Sequence, residues 1–564
     1  MRTRILTLLL IVATAFAACN KAPEHVNYIP KDAAVVVGLN TNELGKKIAW
    51  DALWGNKILD ELKKGGVDTG LFKDMAQSGI KGMSTYYVYL KTDKRYDGGN
   101  KLTAILPLES ASKWEAYLKK LLPETVVKQQ KDRKEAFIGK NVYAGWTDKV
   151  LMVMNVMYQP MQQDPYNHLD AESMQGMDSS LMAMTEERKV DEPAMVAEMD
   201  KAFGNPKDNS ITTVKHFNEL ESKGHDITVW VNYDVLMNEY VTADMTGGLS
   251  LSNTMWKDAA MAGGIDFEKG RIKANVQYYA AEDLKNILKE FGDQSADNGM
   301  IERMPSTALD LLLAWHLSPK AMKQMLDKTN VTGIANAALA DKNINTDYIL
   351  DAFSGDMVAA LNNFTMKAYT IPADSLFPGQ QEMHTTNSDI DYLYAIKIGK
   401  KENFDRLLQL AVSEKLLTMQ SPGHYTVGIS ASSTFITVTD KELVASNKLE
   451  NAEGYLNGSF KNQQRAPEAK SVKGYPFGLF FDVQAMLANV DPAVAADPDQ
   501  ANKLLQSKGL LSNVTFNGGK YNGEAFEYNL YVNFMDKENN ALLILMDYAS
   551  RMAKPADQQQ VAYR

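Results

Sequence analysis

One cysteine in 564 residues, Cys19, is all the thiol this chain has. Beyond it there can be no disulfide framework, thiol nucleophile, zinc-thiolate site or iron-sulfur cluster. Long apolar runs are missing as well. The longest, residues 5–16, falls short of the roughly 20 residues needed to cross a hydrocarbon core of about 30 Å, so no transmembrane helix is expected. Also absent are Gly-x-Gly-x-x-Gly, a Gly-Lys-Ser/Thr phosphate loop, His-Glu-x-x-His and Gly-x-Ser-x-Gly. The common nucleotide, zinc-protease and esterase readings therefore lose their sequence support, and no cofactor is expected. Basic excess is lacking too. The net charge is -10, and loss of Arg2 and Arg4 with a leader would take it to -12. Such a chain is a poor match for phosphate backbones, and no nucleic-acid partner is expected.

What is present begins with an address. Arg2 and Arg4 precede the apolar run, which closes on Ala17-Ala18-Cys19; this is the order of a secretory signal peptide. The small-small-Cys ending resembles the lipobox of bacterial lipoproteins, in which the thiol is diacylated, the chain is cut before the cysteine and the new amine is acylated. The expectation is a leader over 1–18, an acylated linker over 19–28, and attachment to a membrane through acyl chains on Cys19. Two or more chains on one residue anchor stably where a single chain holds marginally. Phe16 stands where leucine is commonest. The alternative, a secreted protein with a chance cysteine, must explain why the sole cysteine falls where a lipobox needs it. Asn20, rather than an aspartate resembling the inner-membrane retention signal of enteric bacteria, favours the outer membrane. Asn20-Lys21-Ala22-Pro23 lacks an acidic run resembling a surface-export signal, which favours a periplasm-facing ectodomain.

The mature chain is long enough for more than one core, and it contains a weak duplication. Ile29-Pro30-Lys31-Asp32-Ala33 leads into an apolar run and then Thr41-Asn42-Glu43-Leu44; Met304-Pro305-Ser306-Thr307-Ala308 leads into another and then Ser318-Pro319. Both read as strand, cap, helix. Trp146-Thr147-Asp148-Lys149-Val150-Leu151 with Asn155 matches Val438-Thr439-Asp440-Lys441-Glu442-Leu443 with Asn447, each a hairpin with Asp-Lys at its tip. Ahead of each lies a strand and an amphipathic helix, with Trp114, Leu118 and Leu121 in one and Phe404, Leu408 and Ala411 in the other. Residues 227–231 match 477–481, and alternating hairpins follow over 264–279 and 513–534. The expected fold class is α+β: two weakly repeated halves, 29–300 and 301–564, each made of antiparallel sheets with helices packed on one face. Residues 158–178, 204–209, 373–389 and 451–472 read as loops, and 554–564 as a loose tail.

Candidate chemistry is thin. No two of His25, His168, His216, His225, His316, His384 and His424 are three to five apart, as helix-borne metal ligands would be. His316 reads as a hydrogen-bonded strand-end histidine rather than a ligand, and no metal site is expected. Ser78/Lys81 and Ser110/Lys113 match Ser-x-x-Lys, which in penicillin-binding proteins carries a nucleophile, but the companion motifs are missing; Ser110 reads as a helix cap. Met152, Met154, Met157, Met161, Met174, Met177, Met182, Met184, Met195 and Met199 are conspicuous among 29 methionines. Thioethers suit Cu(I), and they are also common core filler. Trp50 and Trp54 share one helical face, more typical of core or partner contact than of a glycan platform. Acidic residues are too scattered to single out a catalytic pair.

The lipobox, short linker, Ile29-Pro30-Lys31-Asp32-Ala33-Ala34-Val35-Val36-Val37, Asn40 and the helix after it together resemble an uncharacterised lipoprotein family of Bacteroidetes, whose domain of unknown function fills most of the mature chain. The resemblance implies a cell-envelope protein and supplies no catalytic residues. The function expected is a lipid-anchored, non-enzymatic ectodomain binding an envelope protein or glycan. The alternatives are a glycan or peptidoglycan hydrolase with an unrecognised carboxylate site, and a methionine-rich copper-binding protein.

Overall fold

Valine-rich residues 35–40 alternate between faces, Val36 buried and Val37 exposed, as a strand with one side on a core requires. That pattern recurs along the computed structural model, which describes residues 23–47, 77–92, 100–139, 142–157, 192–205, 207–240, 255–373, 379, 381–427, 434–464, 466–495 and 498–552. Cys19 with its leader, Trp50, Trp54, His168, Met161, Met174, Met177, Met182 and Met184 lie outside the described residues. No described helix is long and apolar enough to cross a membrane. The described chain forms two compact units, one of residues up to 240 with 260–264, the other of 255–259 and 265 onward.

In the first unit the strands are β1 (Val35–Asn40), β2 (Thr85–Lys91), β3 (Asn100–Pro107), β4 (Lys128–Gln130), β5 (Arg133–Gly139), β6 (Val142–Trp146), β7 (Val150–Met157) and β8 (Ile227–Asn232). They pair antiparallel in the order β8-β1-β2-β3-β7-β6-β5-β4. Helix Ala111–Leu121, capped by Ser110 as its sequence suggests, lays Trp114 and Leu118 on one face, against Trp146 and Leu151.

β9 (Ala260–Glu268) follows in the chain, and the second unit then takes β10 (Arg271–Tyr279), β11 (Leu309–His316), β12 (Phe353–Ile371), β13 (Met383–Ile398), β14 (Leu417–Ser421), β15 (His424–Val427), β16 (Phe435–Val438), β17 (Glu442–Ser446), β18 (Phe477–Phe481), β19 (Leu511–Tyr521) and β20 (Phe526–Phe534). Their order begins β18-β11-β12-β13-β17-β16-β15-β14, all antiparallel, which repeats the first unit strand for strand. β19, β20 and β10 continue beyond β18. Helix Lys401–Ser413 sits between β13 and β14, and places Phe404 and Leu408 where the first copy has Trp114 and Leu118.

The repeat reaches individual hydrogen bonds. Thr147 N–H donates to Val150 O at 2.9 Å, and Thr439 N–H to Glu442 O at 2.9 Å; in both turns the threonine hydroxyl also receives the lysine N–H. Leu108 N–H reaches Lys149 O at 2.8 Å, and Ile398 N–H reaches Lys441 O at 2.8 Å. The fold is α+β, with helices against antiparallel sheet in both repeats. β10 belongs to the first repeat by sequence, yet it pairs with its counterpart β20 from Arg271–Asn533 to Tyr278–Phe526.

Two segments expected as loops are ordered elements. Residues 383–389 extend β13 and pair with 365–371 in a solvent-exposed ribbon. A ribbon wet on both faces needs no apolar alternation, so the sequence gives no strand signal there. Residues 449–457 form a helix, with Ala452 and Tyr455 buried one turn apart; its Asn and Gly content reads as loop, but Gly454 lets the Phe460 ring close over it.

The core of the second unit brings Met300, Leu312, Val358, Leu393, Val444, Tyr455 and Phe480 together. Phe480→Ala there should cost about 3–5 kcal/mol by removing buried carbon and leaving a cavity, read as a lower denaturant midpoint at unchanged slope. A shift worth less than about 1 kcal/mol would mean that Phe480 does not carry this core.

Candidate functional site

At the end of β11 the register sets Trp315 opposite Phe477 of β18. Their rings meet edge-on at 6.0 Å; Phe477 meets Phe516 at 5.4 Å, and Phe516 stacks on Tyr528 at 5.9 Å. A Cβ at residue 518 would fall 2.5 Å from the Tyr528 ring, so Gly518 is what lets that ring lie across β19. Helix Glu282–Gly292 closes the far side with Leu288 and Phe291. The result is an aromatic-walled cavity of about 310 Å³, open to solvent, with Trp315 38% exposed.

A second, aliphatic cavity of about 210 Å³ shares Leu317 with it and is lined by Met322, Ile349, Phe353, Met357 and Ile396. Ser318 and Pro319 start helix Pro319–Lys328 beside it, the Ser318 hydroxyl accepting from Ala321 N–H. Gly355, at φ +99°, allows the backbone turn here; a Cβ would lie 2.1 Å from Leu317 O.

Strand alternation turns His316 to the face opposite Trp315. Its Nδ1 is 2.8 Å from Asp356 Oδ1, while its Nε2 is buried with no hydrogen-bond partner among the described residues. Lys397 links this pair to Asp297, 3.8 Å from Asp356 Oδ2 and 2.7 Å from Asp297 Oδ2. Nearby, Arg303 grips both oxygens of Glu442 and lies 4.3 Å over the Tyr455 ring. Burial pushes the Tyr455 hydroxyl well above its usual range. The strand-end reading of His316 therefore holds, with a hydrogen-bonded carboxylate fixing the ring.

The remaining sequence candidates serve local structure. The His25 ring nitrogen Nε2 lies 2.7 Å from Thr85 O, and burial lowers its proton affinity. His216 pairs with Glu219, and His384 is exposed beside Glu382. Ser78 is buried and its hydroxyl accepts from Ile80 N–H. Met152 and Met154 on β7 and Met195 and Met199 on helix Glu192–Phe203 are buried in packing. Of acidic pairs, Asp310 is held above the usual carboxylate range by burial and by Asp482, but Asp310 receives Phe364 N–H and Asp482 caps helix Val483–Ala488. Both carboxylates are committed to backbone. The aromatic cavity was missed in the sequence because Trp315, Phe477, Phe526 and Tyr528 each read as a strand residue, and only the register gathers them.

Asp297 supports a pH prediction. Burial works against its ionisation, but the hydrogen bond from Lys397 and two backbone N–H donors outweigh it and hold its pKa below the ordinary value. The stability this lends is present above the unfolded pKa and is lost as pH falls through the lower, folded one. Asp297→Asn keeps a cap for helix Asn298–Glu302 and loses the charge. It should lower stability at pH 7, with the deficit shrinking as pH falls from the ordinary aspartate range through the lower folded pKa, in paired denaturant curves. A deficit independent of pH would refute the assignment.

Comparison with known proteins gives no match among curated proteins. Among solved structures, TP0453 in crystal form III is similar at 6% identity and a TM-score of 0.23, covering 46% of this chain and 81% of that one. Crystal form I gives 6% and 0.22, with 47% and 81% covered. Likeness at that level carries no argument about fold or function. A family profile, by contrast, matches residues 162–542, more than half of the chain. The chain belongs to the family described as Domain of unknown function (DUF4836).

Proposed function

We propose that this protein is an acyl-anchored lipoprotein of the bacterial cell envelope, held through Cys19 at the outer membrane with its ectodomain facing the periplasm, and that it acts by binding. The observation that supports binding is the aromatic cavity around Trp315. Its walls are almost entirely carbon, which favours an apolar side chain of an envelope protein over a sugar, whose hydroxyls would lose hydrogen bonds to water without replacement. A half-exposed tryptophan among packed rings also has the character of an interface anchor.

Two measurements test this reading. Cys19→Ala should move the protein from the membrane fraction to the soluble one; unchanged membrane retention would sink the anchor. Crosslinking in living cells, followed by affinity purification and mass spectrometry, should recover a protein partner with the native chain and lose most of it with Trp315→Ala. The expected cost of about 2 kcal/mol or more is some thirtyfold in affinity. Equal recovery with Trp315→Ala, in a variant whose circular dichroism is native, would remove the cavity from the interface.

A further inference from the structure

The sheet of the second unit is apolar on both faces. One face turns Leu312 and Ala314 of β11, Val358 and Ala360 of β12, and Leu393 and Ala395 of β13 into the closed core, none more than 2% exposed. Where an antiparallel sheet packs one face on a core, the other commonly meets water and carries polar residues. Here the alternate positions include Trp315, Met357 and Ile396, which are direct cross-strand neighbours. Met357 and Ile396 form the floor of the aliphatic cavity, and Leu317 follows Trp315 into its wall.

Two helices supply the other walls, Pro319–Lys328 with Met322 and Thr346–Asp351 with Ile349 and Leu350. Both are tied elsewhere, so they do not settle onto the floor. Ala321 and Met325 of the first pack with Leu284 and Ile287. The Asn345 side chain caps the second by accepting from Tyr348 N–H at 2.8 Å, and Lys323 joins Asp347 across the two helices at 2.7 Å. Phe353, also in the lining, is held edge-on against Phe404 at 5.8 Å. Apart from Gly355, every lining residue is half-buried and keeps accessible surface on which a ligand can rest.

The first repeat treats the same place differently. By the shared Thr-Asp-Lys turn and the strand registers, Tyr86 stands where Met357 does, and Leu106 where Ile396 does. The Tyr86 hydroxyl is tied to backbone, 3.0 Å from Lys81 O and 3.2 Å from Gly82 O, and Leu106 packs on the cluster of Trp114 and Leu118. The strand order thus forms with these positions engaged by the chain's own residues. It does not require the open aliphatic cavity of the second repeat.

No side chain in the lining carries a hydrogen-bond donor or a charge, and the Leu317 N–H is already given to Gly355 O at 2.9 Å. A sugar, a peptide backbone or a charged group entering here would lose its water without replacement. Met322 and Met357 bring unbranched, deformable thioethers, which adapt to a guest of the same character. We propose that this cavity holds the end of a lipid acyl chain, the biological group of this size with no polar atom along its length, while the polar head stays outside in water. An apolar cavity of about 150 Å³ takes benzene, so about 210 Å³ has room for on the order of eight carbons. This site is separate from the protein partner assigned to the Trp315 cavity, although Leu317 borders both.

The test is calorimetric titration of the full chain in its Cys19→Ala form, which has no acyl chains of its own to compete. The probes are straight-chain fatty acids from hexanoate to tetradecanoate, and dodecanoyl lysophosphatidylcholine, each below its micelle-forming concentration. Binding should be saturable and should tighten about fourfold per added methylene, levelling off at about eight to ten carbons, where the cavity is full. Equal affinity for dodecanoate and the lysolipid identifies a site that reads the chain alone; preference for the fatty acid identifies a free-acid ligand, and preference for the lysolipid a phospholipid. Ile349→Phe and Met322→Trp fill the cavity, and each should weaken dodecanoate binding by about tenfold or more with native circular dichroism. Should either variant fail to fold, the chain-length plateau tests the proposal by itself. Absence of saturable binding, affinity that goes on rising to tetradecanoate, or binding unchanged in both filled variants would overturn it. Trp315→Ala should leave chain binding intact while losing the protein partner. Loss of chain binding in Trp315→Ala with both filled variants unaffected would put the chain in the aromatic cavity and likewise overturn the proposal.

Discussion

Each repeat hangs on one strand hydrogen-bonded along both edges. β1 is held between β2 and β8, and β11 between β12 and β18. In both cases the second partner arrives only after the rest of the repeat has been threaded, so the central strand closes a long loop. The entropy of that closure grows only slowly with length, whereas the two ladders together fix register without slack. A one-residue slip of β11 would turn Leu312 and Ala314 out of the core and drive Trp315 into it. The aromatic cavity exists because that register is enforced: it puts Trp315 beside Phe477, and β19 and β20 then bring Phe516 and Tyr528 to the same place.

What could be read from the amino-acid sequence was whatever repeats a local rule. Thr147-Asp148-Lys149 and Thr439-Asp440-Lys441 specify the same turn by side-chain hydrogen bonds within a few residues, and the structure forms both. Trp114 with Leu118 and Phe404 with Leu408 have helical spacing and pack as that spacing demands. The ribbon at 383–389 was illegible because polar residues on a two-stranded arm satisfy only the backbone. Helix 449–457 was illegible because its buried positions, Ala452, Gly454 and Tyr455, are met by tertiary partners, Arg303 over Tyr455 among them, rather than by its own periodicity. Both cavities lay beyond reach for a third reason. Their walls come from residues distant in sequence, and a wall residue obeys the same alternation as any core residue.

The polar groups buried in each repeat separate fold from specialisation. Arg303 and Glu442 form a closely paired, mostly buried ion pair; desolvating such a pair costs about as much as its attraction returns. In the first repeat the position of Glu442 is Val150, 1% exposed, so the turn and its strand form as well around an apolar side chain. The first repeat has its own network elsewhere, with Arg133 between Glu135 and Asp200 and with Tyr143 donating to Glu135. Shared backbone hydrogen bonds and shared apolar positions therefore suffice for the strand order, and the ionic groups are where the copies part. The contrast is sharpest at Lys101 and Asp391, equivalent by register and opposite in charge, one on the floor of an open polar cavity and the other neutralised beside a closed core. Duplication left two sheets able to keep the same order while their helix-covered faces changed independently. In the second copy that face is sealed around Phe480 and Tyr455, and the rings around Trp315 gather on the opposite face; in the first it borders a polar cavity lined by Lys101, Glu198 and Lys201.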